Sequence, residues 1–422
     1  MNRFTRLSAK LKRTWKVLGP GMITGASDDD PSGIATYSQA GAAFGLGTLW
    51  TALITFPLMA SVQEMCARIG IVTARGLSGV LKQHYHGSVV YLMMIFSFPA
   101  IILNIGADIE GMGAVAHMLF PGVPVFYFEI FFTALILFMV IRYPYQKIAS
   151  ILKWLCLVLL LYLFIPFLTK VDWKDVVRHT FIPTIHVDKN FFEILVAILG
   201  TTISPYLFFW QATMEAEDIA SSPRKVVIDK RVMVRMEKDV YSGMLFSNVV
   251  MFFIILTAGA VLFKGGIHKI DTVEQAASAL EPLAGKTAYA LFAIGVIGTG
   301  FLAIPVLGGS LSYIVAETFS WRQGLDKKFN QAPGFYITLV FALLAGLCLD
   351  FLHISPIQAL LYTAILYGLT APVMIALVLH ICNNRKIMGD QVNKKGSNIL
   401  GTAALVLMTA AAAALIWFQI KG

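Results

Sequence analysis

The sequence is poor in charged residues and has no organised cysteine pattern, and both shortages narrow its class. Charged residues make up 14% of the 422 positions and hydrophobic residues 57%, whereas soluble globular proteins carry about 25% charged residues. So much apolar sequence excludes a soluble enzyme and a disordered chain. The four cysteines lie far apart in or beside apolar runs, which excludes a disulfide scaffold, a redox pair and a metal knuckle.

The sequence also lacks the short patterns that mark catalytic and nucleotide sites. It contains no GxSxG, no HExxH and no phosphate-binding glycine loop. We therefore expect neither an enzyme nor a resident cofactor, and no direct use of ATP. The net charge of +9 does not indicate nucleic acid as a partner, because the basic residues cluster in short segments between apolar runs.

What the chain does contain is a series of apolar runs that are long enough to cross a bilayer, which takes about 20 residues each. The lipid bilayer is therefore a partner, and a monomer is compatible with the sequence. We predict one transmembrane domain with eleven spans, at 17–45, 47–70, 89–118, 124–142, 149–169, 191–216, 240–263, 286–315, 333–352, 355–382 and 398–419.

The distribution of positive charge predicts the orientation of these spans. Residues 1–16 are basic and have no cleavable apolar region, so we expect a retained cytoplasmic arm rather than a signal peptide. With this arm inside, the cytoplasmic segments hold 25 Lys and Arg residues and the opposite side holds 8. The carboxyl terminus is then extracytoplasmic, in a multi-pass protein of the cell (inner or plasma) membrane. The polar segment 217–239 is expected to be a cytoplasmic loop or a short interfacial helix, with a specific site for anionic lipid as the alternative.

Two of the predicted spans are interrupted by helix-breaking residues in corresponding places. The first contains GASDDDPSG at 25–33, and the sixth contains GTTISPY at 200–206. Broken helices at the start of two five-span halves indicate an inverted-repeat transporter whose substrate site lies near the middle of the bilayer. We predict repeats at 17–169 and 191–382, with an extra helix at 398–419.

Three consecutive aspartates lie in the first break. A carboxylate near the middle of a bilayer is costly, so an aspartate there is a functional candidate by default. Asp30, which precedes a proline, is also a good helix cap, and a cap can be a cation ligand at the same time. For Asp28 and Asp29, a purely structural role and a position facing a vestibule of the pathway are both open.

Residues 19–50 resemble the first span of the NRAMP family of divalent-metal transporters, which has the pattern G-P, D-P-G-N, A-T and Q-A-G. The segment 200–206 is similar to that family's G-A-T-V-M-P-H. The resemblance implies an all-α integral membrane protein with a LeuT-like 5+5 inverted repeat and an additional eleventh transmembrane helix.

The resemblance also implies a cation site between the two breaks. Asp30 keeps the family's aspartate, and the family's carbonyl ligands fall on Ser27 and Thr201. The family's asparagine is replaced by Gly33 and its methionine by Ser204. Without the thioether the site is all oxygen and roomier, which suits Mg²⁺ with part of its water shell. The chain therefore resembles the NRAMP-related magnesium-transporter branch, with Mn²⁺ as a second candidate ion.

The family's proton-relay positions are mostly altered. Its histidine positions carry Tyr206 and Gln211, its third-span aspartate is Ala107, and only the glutamate survives, as Glu110. A proton relay needs titratable groups within reach of one another. We therefore expect transport that is driven by the membrane potential without proton coupling.

Several further residues are candidates for the pathway. Asp108 and Glu110 lie two apart on a helix and so face different ways, and the match to the family favours Glu110. Gln211 and Glu215 share one helix face toward the cytoplasmic exit, and Thr363 of the tenth span is a candidate to close over the site. Two other functions fit the same scaffold: a sodium-coupled carrier of an organic solute, and a sensor or receptor that does not transport.

Overall fold

The computed structural model describes residues 19–144, 147–148, 157–169, 171–221, 228–352 and 354–421, and these are helical with no strand. Short helices and turns connect the long helices. The long helices are α1 (Pro20–Asp28), α2 (Pro31–Phe44), α3 (Trp50–Thr73), α4 (Gly87–Leu119), α5 (Val125–Arg142), α6 (Lys189–Thr202), α7 (Pro205–Ser221), α8 (Lys230–Ala258), α9 (Ala288–Phe319), α10 (Pro333–Leu347), α11 (Pro356–Asn383) and α12 (Lys395–Lys421).

The helices follow the predicted order of spans. In the described part of the chain, seven segments are apolar and long enough to cross a membrane by length and composition: α4, α5, α6 with α7, α8 and its continuation to Phe263, α9, α11 and α12. The broken α1–α2 pair, α3, the shorter α10 and a short apolar helix at Val158–Leu168 occupy the other four predicted positions. The start of the predicted fifth span, residues 149–156, lies outside the described residues.

The segment 217–239, predicted as a cytoplasmic loop or a short interfacial helix, is mostly helical where the structure describes it, and residues 222–227 lie outside the described residues. Helix α7 continues to Ser221, and α8 begins at Lys230. Asp229 starts α8 by accepting hydrogen bonds from the amides of Arg231 and Val232, each at 2.9 Å. The added turns are stable because an apolar stripe that includes Met233 and Met236 is buried against the protein. The charged residues of this segment that lie on α8, such as Arg231, Arg235 and Lys238, occupy its exposed face.

The predicted first break lies between α1 and α2. Helix α1 ends at Asp28, because Asp29 has ψ 54° and Asp30 is extended, with ψ 173°. Pro31 then occupies the first turn of α2, where its missing amide donor costs nothing. The chain therefore leaves the helical path for two residues in the interior of the protein.

The amino end of α1 is held by α8 rather than by a local cap. Asp239 accepts hydrogen bonds from the amides of Gly19 and Gly21, at 3.2 Å and 2.7 Å. Further along, Gly25 lies directly against the backbone of Gly243, and a Cβ atom at Gly25 would collide with the Gly243 carbonyl group. The absence of side chains at this crossing lets the two helices approach closely.

The second break lies beside the first. Helix α6 ends at Thr202, Ile203 has ψ 60°, and α7 begins at Pro205. Helix α6 packs against α2 and α11, and α7 contacts α1. A hydrogen bond of 3.1 Å joins the hydroxyls of Tyr37 and Thr202 across this junction. The two interrupted helices thus place their irregular backbone in one common region.

Candidate functional site

Asp30 occupies the centre of the first break and is 2% exposed. Its Oδ1 accepts a hydrogen bond of 2.7 Å from the Gly33 amide, which confirms the predicted cap of α2. Its Oδ2 accepts a hydrogen bond of 3.1 Å from the side-chain amide of Asn104 on α4. The carboxylate therefore lies at the positive end of a helix dipole, with its orientation fixed by two donors.

Asn104 connects Asp30 to α11. The Thr363 hydroxyl lies 3.2 Å from Oδ1 of Asn104 and 3.5 Å from the hydroxyl of Ser32. Thr363, which was predicted to close over the site, is thus one residue away from the Asp30 carboxylate. The prediction missed Asn104, although an amide inside the apolar run 101–105 is itself a signal of function in a membrane span.

The carbonyl group of Ser27 faces the sixth span. It accepts a hydrogen bond of 3.2 Å from the hydroxyl of Tyr206. The Tyr206 ring packs against Tyr367, with 5.6 Å between the ring centroids. A carbonyl oxygen has two lone pairs, so Ser27 retains the capacity to bind a cation while it accepts this hydrogen bond.

The second break supplies a hydroxyl and a carbonyl group that contact each other. The hydroxyl of Ser204 lies 2.6 Å from the carbonyl oxygen of Thr201 and 3.0 Å from that of Gly200, so its proton is directed at backbone oxygens. Ser204 and Thr201 are 2% and 3% exposed. The hydroxyl oxygen of Ser204 keeps its lone pairs, which are the part of the group that a cation uses.

Gly33 does not leave the open space that its small size suggested. A Cβ atom built on Gly33 would lie 3.3 Å from the carbonyl oxygen of Asp28 and 3.4 Å from the hydroxyl of Thr201. Atoms of both breaks pack against Gly33, so the volume that a larger side chain would have taken is already filled. The structure therefore brings Gly33 and Thr201 together, but without the predicted roominess.

The two acidic residues of α4 lie in different surroundings. Asp108 is fully buried and faces Asp30 and the amide of Ser32, although neither of its oxygens makes a hydrogen bond of ordinary geometry. Glu110 instead lines a cavity of about 190 Å³ with Ala107 and Thr363. The two carboxylates therefore face different ways, as their spacing predicted, and the assignment of Glu110 to the pathway stays a prediction.

Asp28 and Asp29 do not face a vestibule in this structure. Each is 1% exposed. The hydroxyl of Ser247 on α8 lies 2.7 Å from Oδ2 of Asp28 and 3.1 Å from Oδ1 of Asp29. Burial results from the close crossing of α1 and α8, which could not be located from the sequence.

A chain of hydrogen-bonded polar side chains joins α1 to α7. The hydroxyl of Thr24 donates to Oε1 of Gln211 at 2.5 Å, and Nε2 of Gln211 donates to Glu215 at 3.0 Å. Gln211 and Glu215 do share one helix face, as predicted. All three side chains are buried, so this contact closes the region between α1 and α7.

The donors around Asp30 differ from those of a conventional protein metal centre. Among the described residues, no group of three or more His, Cys, Asp or Glu side chains is arranged to hold a metal ion. The available donors are carboxylates, hydroxyls and the carbonyl groups that the breaks release from helical hydrogen bonding. Such hard oxygen donors match alkali and alkaline-earth cations better than soft transition metals.

Comparison with known proteins identifies the family. The profile described as "Nramp: Natural resistance-associated macrophage protein-like" matches residues 21–418, which is nearly the whole chain. The chain belongs to the Nramp family. The resemblance noted in the first and sixth spans is therefore confirmed over the full set of helices.

Curated relatives match this chain over most of their length, although their sequences have diverged. A protein of Caldanaerobacter subterraneus subsp. tengcongensis named divalent metal cation transporter MntH is 24% identical over 421 residues, with 99% of this chain and 96% of the relative covered. The protein of the same name from Bacillus subtilis is 23% identical, with 93% and 90% covered.

Solved structures support the fold class. The manganese transporter of Eremococcus coleocola superposes with a TM-score of 0.76 at 19% identity, covering 97% of this chain and 88% of that one. Mhp1, a nucleobase-cation-symport-1 family transporter, superposes with a TM-score of 0.54 at 12% identity, covering 96% and 93%. The predicted LeuT-like fold with an eleventh helix is confirmed.

Proposed function

We propose that this Nramp protein transports divalent metal cations across the cell membrane, and that the ion binds between the breaks of the first and sixth spans. The observation that carries the proposal is the position of Asp30, a buried carboxylate that is held at the junction of both breaks by Gly33 and Asn104. The negative charge of a buried carboxylate is costly, and a divalent cation would neutralise the charge of Asp30.

The proposed ligands are all oxygens. Asp30 supplies the charge, Ser27 and Thr201 supply carbonyl groups, and Ser204 supplies a hydroxyl. Asp108 is added to this set because it faces Asp30 and lacks a well-formed hydrogen bond. Two carboxylates that face each other balance the charge of a divalent ion.

We propose Mg²⁺ as the principal substrate, with Mn²⁺ as the competing candidate. The absence of a thioether at Ser204 favours Mg²⁺, because sulfur ligands select softer metals. The names of the relatives favour Mn²⁺, since one is called a manganese transporter. Because Gly33 leaves no spare volume here, a hydrated Mg²⁺ would require the two breaks to separate.

The proposed pathway follows from the predicted orientation, with the amino terminus in the cytoplasm and the carboxyl terminus outside. The cavity beside Glu110 and Thr363 then lies on the extracytoplasmic side of Asp30. The Thr24–Gln211–Glu215 contact lies on the cytoplasmic side. Alternating access would break these two closures in turn, by movement of the repeats 17–169 and 191–382 around the site.

We further propose that transport is not coupled to protons. Tyr206 and Gln211 replace the histidines that the family resemblance implies, and both are engaged in hydrogen bonds across the first and sixth spans. A divalent ion gains about 4.6 kcal/mol on crossing a potential of 100 mV, which is enough to concentrate it without a second ion. A coupled mechanism would instead have to use a buried carboxylate such as Asp108 or Glu215.

Flux into proteoliposomes tests both parts of the proposal. With an inside-negative potential, we expect uptake of Mg²⁺ by the wild type and loss of uptake in Asp30→Asn, which keeps the shape of the side chain and removes its charge. A pH indicator inside the same vesicles should show no acidification during uptake. Uptake that is unchanged in Asp30→Asn would refute the site, and acidification that follows metal entry would refute uncoupled transport.

The same assay separates the two alternative functions. A sensor that does not transport would bind Mg²⁺ or Mn²⁺ in calorimetry without any flux. A sodium-coupled carrier of an organic solute would show neither binding nor flux of Mg²⁺ or Mn²⁺. The likeness to Mhp1 does not favour the carrier, because it shows the fold alone.

A further inference from the structure

The three consecutive aspartates of the first break point to two different sides of the helix bundle. Asp30 contacts Asn104 of α4. Asp28 and Asp29 instead contact Ser247 of α8. The acidic run therefore supplies two separate groups of carboxylates, and only one of them belongs to the site proposed above.

Ser247 cannot satisfy both carboxylates. Its hydroxyl lies 2.7 Å from Oδ2 of Asp28 and 3.1 Å from Oδ1 of Asp29, but a hydroxyl has a single proton to donate. The other oxygens, Oδ1 of Asp28 and Oδ2 of Asp29, are buried without any hydrogen-bond partner. An unpartnered buried carboxylate oxygen carries the full cost of its lost hydration.

The surroundings make this cost larger. The charged groups that act on Asp28 and Asp29 are other aspartates, with no basic side chain among them. The ion pairs found in the described ranges do not include either residue. Both residues lie at the carboxyl end of α1, where the helix dipole is negative and its last carbonyl groups lack helical partners. The neighbouring charged side chains and the end of α1 therefore both add negative potential, which the Ser247 hydroxyl offsets only in part.

We infer that Asp28, Asp29 and Ser247 form a second cation site, separate from the Asp30 site, which binds a hard cation such as Mg²⁺ or Na⁺. Two carboxylates and one hydroxyl form an oxygen-only ligand set, and water completes the coordination of such an ion. The bound cation satisfies the two unpartnered oxygens and joins α1 to α8. This second site does not depend on which ion Asp30 binds, or on whether the protein transports that ion.

The site is tested on the purified full-length protein in detergent, with choline chloride as the background salt. The probes are Mg²⁺ in calorimetric titration, and Na⁺ against K⁺ in thermal unfolding. We expect a response to Mg²⁺ or to Na⁺ that persists in Asp30→Asn and is lost in the double variant Asp28→Asn with Asp29→Asn. The double variant keeps the shape of both side chains, and size-exclusion chromatography checks its fold.

Ser247→Ala gives a second test if the double variant does not fold. It removes one ligand and leaves both carboxylates, so we expect the dissociation constant of the persistent response to rise at least threefold.

The possible outcomes distinguish the two sites. Loss of every cation response in Asp30→Asn would overturn the second site and leave the proposed function intact. The reverse pattern, with every response lost only in the double variant, would support the second site and overturn the role of Asp30. A double variant that binds Mg²⁺ and responds to Na⁺ as the wild type does would show that the pair binds neither cation, and would overturn the inference.

Discussion

The side-chain amide of Asn104 lies 3.1 Å from Oδ2 of Asp30, and this contact links the third span to the break of the first. It fixes the carboxylate from the side opposite to the Gly33 amide. Because Asn104 also accepts a hydrogen bond from Thr363, the same residue connects the site to α11. A movement of α11 would therefore shift Asn104 and so change a hydrogen bond to the Asp30 carboxylate.

Replacing Asn104 by alanine should weaken ion binding without preventing transport. A hydrogen bond to a charged group contributes about 1.5–3 kcal/mol, so the KM for Mg²⁺ should rise by roughly tenfold or more. Uptake into proteoliposomes at a series of Mg²⁺ concentrations measures this. Asn383→Ala is the matched control, because Asn383 is exposed at the far end of α11 and should leave KM unchanged. An unaltered KM in Asn104→Ala would exclude a positioning role.

Introducing methionine at position 204 should change the preference among ions. Ser204 occupies the position of the family's methionine, and a thioether would favour softer metals. In Ser204→Met we expect Cd²⁺ and Mn²⁺ to compete more strongly against Mg²⁺ uptake than they do in the wild type. Ser204→Ala removes the hydroxyl without adding sulfur and should not gain Cd²⁺ sensitivity. If Cd²⁺ and Mn²⁺ compete equally strongly in both variants, loss of the hydroxyl rather than the added sulfur determines the selectivity.

The buried ion pair of α3 should be important for stability. Arg68 donates two hydrogen bonds to Glu64, one of 2.9 Å from Nε, and both side chains are almost completely buried. Arg68→Met would leave a buried carboxylate unpaired, which typically costs about 3–5 kcal/mol. We expect a large fall in the thermal unfolding temperature. The double variant Glu64→Gln with Arg68→Met should recover most of the lost unfolding temperature. If it recovers none, lost packing rather than the unpaired charge explains the fall.

Asp239 should stabilise the amino end of α1. Asp239→Ala would leave the Gly19 and Gly21 amides without their acceptor, and the loss of a helix cap costs about 0.5–2 kcal/mol. The unfolding temperature should fall measurably. Glu237, two residues earlier on α8, forms only an exposed pair with Lys394, so Glu237→Ala should have little effect. Equal effects of the two changes would contradict a specific capping role.

Part of the site was predictable because it depends on local chemistry. The sequence D-P marks both a helix cap and a break, and Asp30 forms the expected hydrogen bond to Gly33. The spacing of Gln211 and Glu215 likewise predicted their contact. The partners of Asn104 and Ser247 could not be assigned, since they lie on helices that are distant in the sequence and approach only when the bundle is folded.

The sequence by itself determined the membrane class, the order of the helices, the two breaks and the family. These follow from composition, from runs of apolar residues, and from glycine and proline, which act on the backbone locally. The tertiary structure decided which carboxylates face one another. It turned Asp108 rather than Glu110 toward Asp30, closed the space at Gly33, and directed Asp28 and Asp29 to Ser247. Those outcomes depend on how closely the helices cross and how they are rotated, which is set by packing over the whole bundle.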